Sequence, residues 1–138
     1  MTKFWFSTGT LNSWKTAFEN NVWGTARSEK LEKHWKEAES GDIIFCYAKS
    51  TEDTDRGRLV GIIKITRCWE GSKRLWPGHF PLRYDFNTIY KITSLATWQT
   101  QGIEIYPEYR GWMGSGIRPM RDKKKAQSLY QLGKRNWE

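Results

Sequence analysis

The stretch Trp-Pro-Gly-His-Phe-Pro-Leu-Arg-Tyr at 76–84 joins a loop to a strand. Proline and glycine in its first half are typical of a loop, and residues 81–86 have the composition of a strand. Trp76 therefore belongs to a loop and does not follow the regular spacing of a core residue. Its glycine neighbour lets other groups approach closely and lets the backbone turn sharply.

Two more tryptophans have similar neighbours: Trp23 in Asn-Val-Trp-Gly-Thr (21–25) and Trp69 in Cys-Trp-Glu-Gly (68–71). Tryptophan is usually a packing residue because it is large and apolar. The other six of the nine tryptophans are therefore expected to pack in the core: Trp5, Trp14, Trp35, Trp98, Trp112 and Trp137. Trp23, Trp69 and Trp76 are instead candidates for contact with a ligand.

The rest of the chain alternates strand and helix patterns without an internal repeat. Strands are predicted at 3–8, 43–48, 59–66, 81–86 and 88–95, and helices at 13–20, 29–39 and 122–132. Thr10 or Asn12 is the expected cap of the first helix, and Ser28 that of the second. Segments 20–27 and 67–80 and most of 96–120 are predicted to be loops. This pattern predicts a single α+β domain over 1–138, with a strongly curved, barrel-like mixed sheet flanked by about three helices.

The composition favours a polyanionic partner, because 23 Lys and Arg against 15 Asp and Glu give a net charge of +8. No apolar run is long enough for a transmembrane helix, and the first residues do not form a signal peptide, so we expect a cytoplasmic protein without membrane contact. Cys46 and Cys68 are expected to be reduced thiols. With His34 and His79 they form no zinc spacing, so neither a metal nor a cofactor is expected.

Catalytic motifs are not found in the sequence. There is no phosphate-binding Gly-rich motif, no nucleophile elbow and no His-Glu-x-x-His. His79 is the one general-base candidate, and no nucleophile stands out as its partner. We therefore expect a binding module and not an enzyme.

A site for an unstacked nucleobase is easier to assemble. Such a base needs aromatic planes on its faces and polar groups at its edge. Trp23, Trp69 and Trp76 would supply the planes, and Asn12, Ser7, Thr8 and Thr25 the edge contacts. Flanking phosphates would be held by basic residues: Arg27, Arg83, Arg118, Arg121, Lys123, Lys124 and Lys125.

The motif at 21–25, the strands around Ile43–Tyr47 and Leu59–Ile65, and the motif at 76–84 together resemble YTH and EVE domains of the PUA-like superfamily. The last motif is similar to the YTH pattern Trp-x-Gly-x-Phe-x-(Val/Leu)-Arg-(Trp/Tyr), and Arg121-Asp122 resembles another YTH element. The matches occur in order over most of the chain.

The resemblance implies a reader of modified bases, since YTH domains hold N6-methyladenine of RNA in a tryptophan cage. It makes Trp23 the first cage wall, Trp76 a wall or floor, and Trp69 the remaining wall. Asn12 would contact the base edge, and the Gly24 backbone would face the methylated amino group. Arg121 would contact phosphate.

A compact domain of this kind also resembles the recognition domains of McrB-like restriction proteins. Our leading hypothesis is therefore a module that flips a methylated base out of duplex DNA, N6-methyladenine first and 5-methylcytosine second. A motor domain or effector would lie outside this chain. The alternatives are an RNA-binding module for N6-methyladenosine or structured RNA, a PUA-like enzyme acting on RNA or a nucleoside, and a protein-interaction domain.

Overall fold

The computed structural model describes residues 2–49, 57–114 and 116–137. These residues form six strands and four helices. In chain order the elements are β1 (Phe4–Thr10), α1 (Leu11–Asn20), β2 (Val22–Thr25), α2 (Glu29–Glu37), β3 (Ile43–Lys49), β4 (Arg58–Glu70), β5 (Leu82–Lys91), α3 (Trp98–Gln101), β6 (Gly116–Pro119) and α4 (Lys123–Trp137). Short 3₁₀ turns occur at Leu95–Thr97 and Arg110–Trp112.

All the strands belong to one mixed sheet with the order β2-β5-β4-β3-β1-β6. β1 and β3 run parallel, and the other neighbours are antiparallel. Register shifts interrupt the β3–β4 and β4–β5 ladders, and such bulges bend strands and increase their twist. The sheet curls into an open half-barrel, which confirms the predicted curved α+β architecture. The structure has one helix more than expected. This helix is α3, a single turn that is too short to give a helical pattern in the sequence.

Both faces of the sheet are buried, because side chains alternate between two cores. Ile44 and Ile63 belong to the core that contains Trp14 and Trp23. Their neighbours Phe45 and Ile62 belong to the core that is covered by α4. The first of these cores also contains Trp76.

The predicted helix caps are present. Thr10 Oγ1 accepts from the Ser13 N–H at 3.1 Å, and Ser28 Oγ accepts from the Leu31 N–H at 3.1 Å. Of the two candidates for the first cap, Thr10 is therefore the residue that caps α1.

Three predicted loops or breaks are different in the structure. Segment 20–27 contains strand β2, because Val22–Thr25 pairs with β5. β4 continues to Glu70 and so includes Trp69. The two strands predicted at 81–86 and 88–95 are one strand, β5. Among the described residues no helix is both long and apolar enough to span a membrane.

Candidate functional site

A cavity of about 500 Å³ lies where β2, at one end of the strand order, approaches β1 and β6 at the other end. This volume is within the usual range for small-molecule sites. The lining residues that the structure describes are Thr8, Gly9, Thr10, Ser13, Trp23, Gly24, Thr25, Ala26, Leu31, Lys49, Trp76, Phe80, Met113, Gly114 and Gly116.

Trp23 is held in this cavity by contacts on several sides. Its ring stacks on Trp14, with centroids 3.7 Å apart and planes 12° apart. Its Nε1 donates to Ser7 Oγ at 2.8 Å. A Cβ atom on Gly9 would lie 2.6 Å from Trp23 Cη2, so the indole approaches the β1 backbone where only glycine leaves room. The orientation of Trp23 is therefore fixed without a ligand.

Trp76 meets Trp23 nearly at a right angle. The ring centroids are 5.9 Å apart and the planes 80° apart. Trp76 Nε1 donates to the Ser13 carbonyl at 3.0 Å, which ties the loop to α1. Phe80 adds a third ring, 6.0 Å from Trp76 with planes 88° apart. Trp23, Trp76 and Phe80 thus form an aromatic corner in the cavity wall.

Arg83 organises the loop that carries Trp76. Its side chain is buried, with the residue 3% exposed, and the guanidinium lies 5.2 Å from the Trp76 ring centroid. Nε donates to the Phe80 carbonyl at 2.6 Å, and Nη2 donates to the Lys73 carbonyl. Burial lowers the pKa of Arg83, although guanidinium groups stay charged in proteins. The structure therefore makes Arg83 a buried support of the loop and not the phosphate contact that was predicted.

Trp69 lies outside the cavity lining. It pairs with Arg83 in the β4–β5 ladder, and its Nε1 donates to Asp85 Oδ1 at 2.8 Å. The Arg67 guanidinium lies 5.0 Å from the Trp69 ring centroid. The strand pairing that continues to Glu70 is the reason that Trp69 does not form the predicted third wall.

The residues predicted to contact the base edge divide into two groups. Thr8, Thr25 and Gly24 line the cavity. Thr8 Oγ1 is buried and has no hydrogen-bond partner among the described residues. Ser7 is buried behind Trp23 and serves that ring. Asn12 is exposed on α1 and is not in the lining, whereas the next residue, Ser13, is.

The backbone of Gly24 is aimed away from its partner strand. The Phe86 N–H donates to the Asn21 carbonyl at 3.1 Å, and hydrogen-bonded and non-hydrogen-bonded pairs alternate along an antiparallel ladder. Gly24, which is opposite Arg83, is by this alternation in a non-hydrogen-bonded pair. Its N–H and C=O therefore point to the free edge of β2, where the cavity lies.

The predicted phosphate contacts are scattered. Arg27 forms ion pairs with Glu70 at 2.7 Å and Glu32 at 3.1 Å, and its hydrogen bond to Glu70 is the main cause of its raised pKa. Arg118 is at the cavity rim, where a Cβ on Gly114 would lie 2.7 Å from its Nε. Its Nη1 donates to the Gly111 carbonyl at 3.0 Å.

The basic residues at the start of α4 are exposed: Arg121, Lys123 and Lys124. Two of them, Arg121 and Lys123, line a separate cleft with Trp5. Since Trp5 is near the start of β1 and the cavity is near its end, these cations are not at the aromatic corner.

No protein-family model matches the sequence, and no curated protein matches it. Solved structures do resemble it. A YTH domain of Mmi1 in complex with RNA has a TM-score of 0.60 at 10% identity, over 96% of this chain and 81% of that one. The YTH domain of Zygosaccharomyces rouxii MRB1 in complex with N6-methyladenosine RNA has a TM-score of 0.59 at 12% identity, over 95% and 86%. Rpa0253 from Rhodopseudomonas palustris has a TM-score of 0.58 at 15% identity, over 96% and 93%.

The protein has the fold of a YTH domain. This confirms the YTH-like architecture that the motifs at 21–25 and 76–84 predicted. The resemblance to McrB-like restriction proteins is not shown by these structures and stays a prediction.

Sequence reasoning missed Lys49 in this YTH-like domain. Within the described part of the chain, Lys49 is the one charged residue that lines the cavity. Its sequence signal was weak, because it is an isolated lysine directly after the strand predicted at 43–48.

Proposed function

We propose that this YTH-like domain binds RNA and holds one N6-methylated adenine base in the cavity. The observation that carries the proposal is the right-angled corner formed by Trp23 and Trp76 in a cavity of about 500 Å³. Stacking of a base on an aromatic side chain contributes roughly 1–3 kcal/mol. The base would stack on one of the two rings, and its methyl group would pack against the other.

The polar groups suit the edge of adenine. Gly24 has a backbone carbonyl aimed at the free edge of β2, and an exocyclic N6–H is a donor that this carbonyl would accept. The unpartnered hydroxyl of Thr8 can donate or accept at a ring nitrogen. A buried hydroxyl without a partner is costly, so a ligand that satisfies it gains affinity.

We propose RNA as the ligand in place of the duplex DNA that the sequence analysis favoured. Two of the three similar structures named above are complexes with RNA, and one of these two contains N6-methyladenosine. These structures support the RNA alternative better than duplex DNA or a restriction system. The 2′-hydroxyl is the group by which a protein distinguishes the two nucleic acids.

The test is binding of single-stranded RNA with one central adenosine, methylated or unmethylated at N6, at a defined salt concentration. We expect the methylated strand to bind about tenfold more tightly, which corresponds to about 1.4 kcal/mol. Trp76→Leu should abolish the preference, and Trp69→Leu is the matched control that should keep it. Equal affinity of the wild-type domain for both strands would refute the proposal. Tighter binding of methylated duplex DNA than of methylated RNA would restore the DNA hypothesis.

We further propose that the domain acts by binding alone. His79 is exposed and is not among the described lining residues of the cavity, so a base in the corner would not meet this general-base candidate. Nucleoside analysis of a methylated RNA incubated with the domain should recover the methylated nucleoside in full. Time-dependent loss that His79→Ala abolishes would establish an enzyme instead.

A further inference from the structure

Lys49 combines a position at the cavity with an exposed charge. It ends β3 and pairs in register with Thr10, the last residue of β1. Thr10 and Lys49 both line the cavity, and Lys49 is exposed. The ammonium group is therefore carried at the cavity mouth and not in the aromatic corner.

A second cation, Arg118, lies on β6 at the other side of β1 and farther from the end of that strand. β1 lies between β3 and β6. Lys49 of β3 pairs with Thr10 at the end of β1, whereas Arg118 of β6 pairs with Phe6, four residues earlier. Arg118 approaches Gly114, which is also a lining residue. Lys49 is therefore the cation at the end of β1 that lines the cavity.

A flipped base brings its own sugar and phosphates to the mouth of the pocket. The aromatic corner and Thr8 are uncharged. Lys49 is therefore the residue of the described lining that can form an ion pair with those phosphates. A lysine ammonium acts as a compact point charge with rotatable donors, which suits a phosphate without demanding one geometry.

We propose that Lys49 contacts a phosphate next to the nucleotide whose base enters the cavity. The inference rests on the proposed function and adds a residue to that site. Such a contact positions the backbone and does not read the base. Loss of Lys49 therefore weakens the binding of methylated and unmethylated RNA by the same factor, and the preference for methylated RNA stays.

The experiment compares Lys49→Gln with wild type over a series of salt concentrations. The logarithm of the association constant falls with the logarithm of the salt concentration, and one lost phosphate contact should reduce the magnitude of this negative slope by about 0.7 for a single strand. Lys64→Gln is the matched control, because Lys64 is exposed on β4 away from the cavity lining. Its slope should equal that of wild type, and Lys49→Arg should keep most of the wild-type slope.

A second measurement locates the phosphate. Single phosphates beside the methylated adenosine are replaced by uncharged methylphosphonates. At one position the replacement should weaken RNA binding by the wild-type domain, and at that same position it should not weaken binding by Lys49→Gln any further. A Lys49→Gln variant with the wild-type slope and the same phosphonate sensitivity as wild type overturns this inference alone. Absence of a methyl preference in wild type overturns the proposed function instead.

Discussion

Trp23 and Ser7 are joined by a hydrogen bond of 2.8 Å that connects the two ends of the sheet. Trp23 is on β2, the first strand of the spatial order, and Ser7 is on β1, next to the last. Ser7 Oγ also donates to the Gly116 carbonyl of β6 at 2.8 Å. One buried hydroxyl therefore links three strands beside the cavity.

Ser7→Ala should destabilise the domain. The substitution leaves the indole N–H of Trp23 unpaired in the core, and an unsatisfied buried donor costs about 1–3 kcal/mol. Urea denaturation should show a decrease of this size in the free energy of unfolding. Ser128→Ala, at an exposed position of α4, should leave it unchanged or slightly raise it, since alanine favours helix. Equal stability of Ser7→Ala and wild type would show that the link contributes nothing.

Gly24→Ala should damage the cavity. The added Cβ would lie 2.8 Å from Trp76 Cζ3 and 3.1 Å from the Phe80 carbonyl oxygen. Overpacking of this kind costs about 1–3 kcal/mol and displaces the Trp76 ring. Because the displaced ring no longer forms the corner, we expect the affinity for methylated RNA, measured by fluorescence anisotropy, to fall about tenfold, which is a loss of about 1.4 kcal/mol of binding free energy.

Gly111→Ala is the control for this substitution, because a Cβ there meets no atom within 4 Å. Its affinity should match that of wild type. If Gly24→Ala binds as tightly as Gly111→Ala, Trp76 is not needed in its present place.

Arg83→Lys separates the buried support from a phosphate contact. A lysine cannot reproduce the guanidinium fork, so the carbonyls of Lys73 and Phe80 lose donors. Hydrogen bonds to charged groups contribute about 1.5–3 kcal/mol each. We expect lower stability and a smaller methyl preference, with an unchanged salt dependence of binding.

Arg74→Lys, at an exposed position of the same loop, should change neither stability nor preference. A normal preference in Arg83→Lys, together with a lower salt slope in Arg83→Ala, would support the phosphate contact that the sequence suggested.

His34 should make stability depend on pH. It is buried against Trp5, neither ring nitrogen has a hydrogen-bond partner among the described residues, and burial lowers its pKa. Nearby Glu37 opposes this shift, whereas Lys30, Lys33 and Arg121 favour it.

The lowered pKa means that the imidazole of His34 binds a proton more readily in the unfolded chain than in the folded one. The contribution of His34 to the free energy of unfolding is therefore fully present above about pH 6.5 and is lost as the pH falls below it. Urea midpoints between pH 7.5 and 5 should fall less in His34→Phe than in wild type. His79→Phe, at an exposed histidine, should retain the wild-type pH dependence. An identical decline in His34→Phe would assign the effect to other groups.

Local sequence signals predicted the elements whose patterns are self-contained. Residues 43–48 form a continuous apolar run, and Ser28 stands directly before a helical pattern, so both features were recognisable. Trp23 and Trp76 were selected because of their glycine neighbours, and the structure brings these two rings together.

The remaining features depend on pairing between distant segments. β2 has four residues, too few for a periodic pattern, and exists because it pairs with Leu82–Asp85. Trp69 looked like a loop residue because Gly71 follows it, but the β4–β5 ladder includes it. Lys49 became a cavity residue only because β3 ends beside Thr10. No local pattern contains this information.

The Ser7–Gly116 hydrogen bond joins residues 109 positions apart. Contacts of such long sequence separation are costly to close and slow down folding. During synthesis the domain would present Trp23 and Trp76 before β6 exists to complete the enclosure. A nascent chain without residues 116–119 would therefore have the aromatic rings but would lack Gly116, which lines the cavity and accepts the hydrogen bond from Ser7.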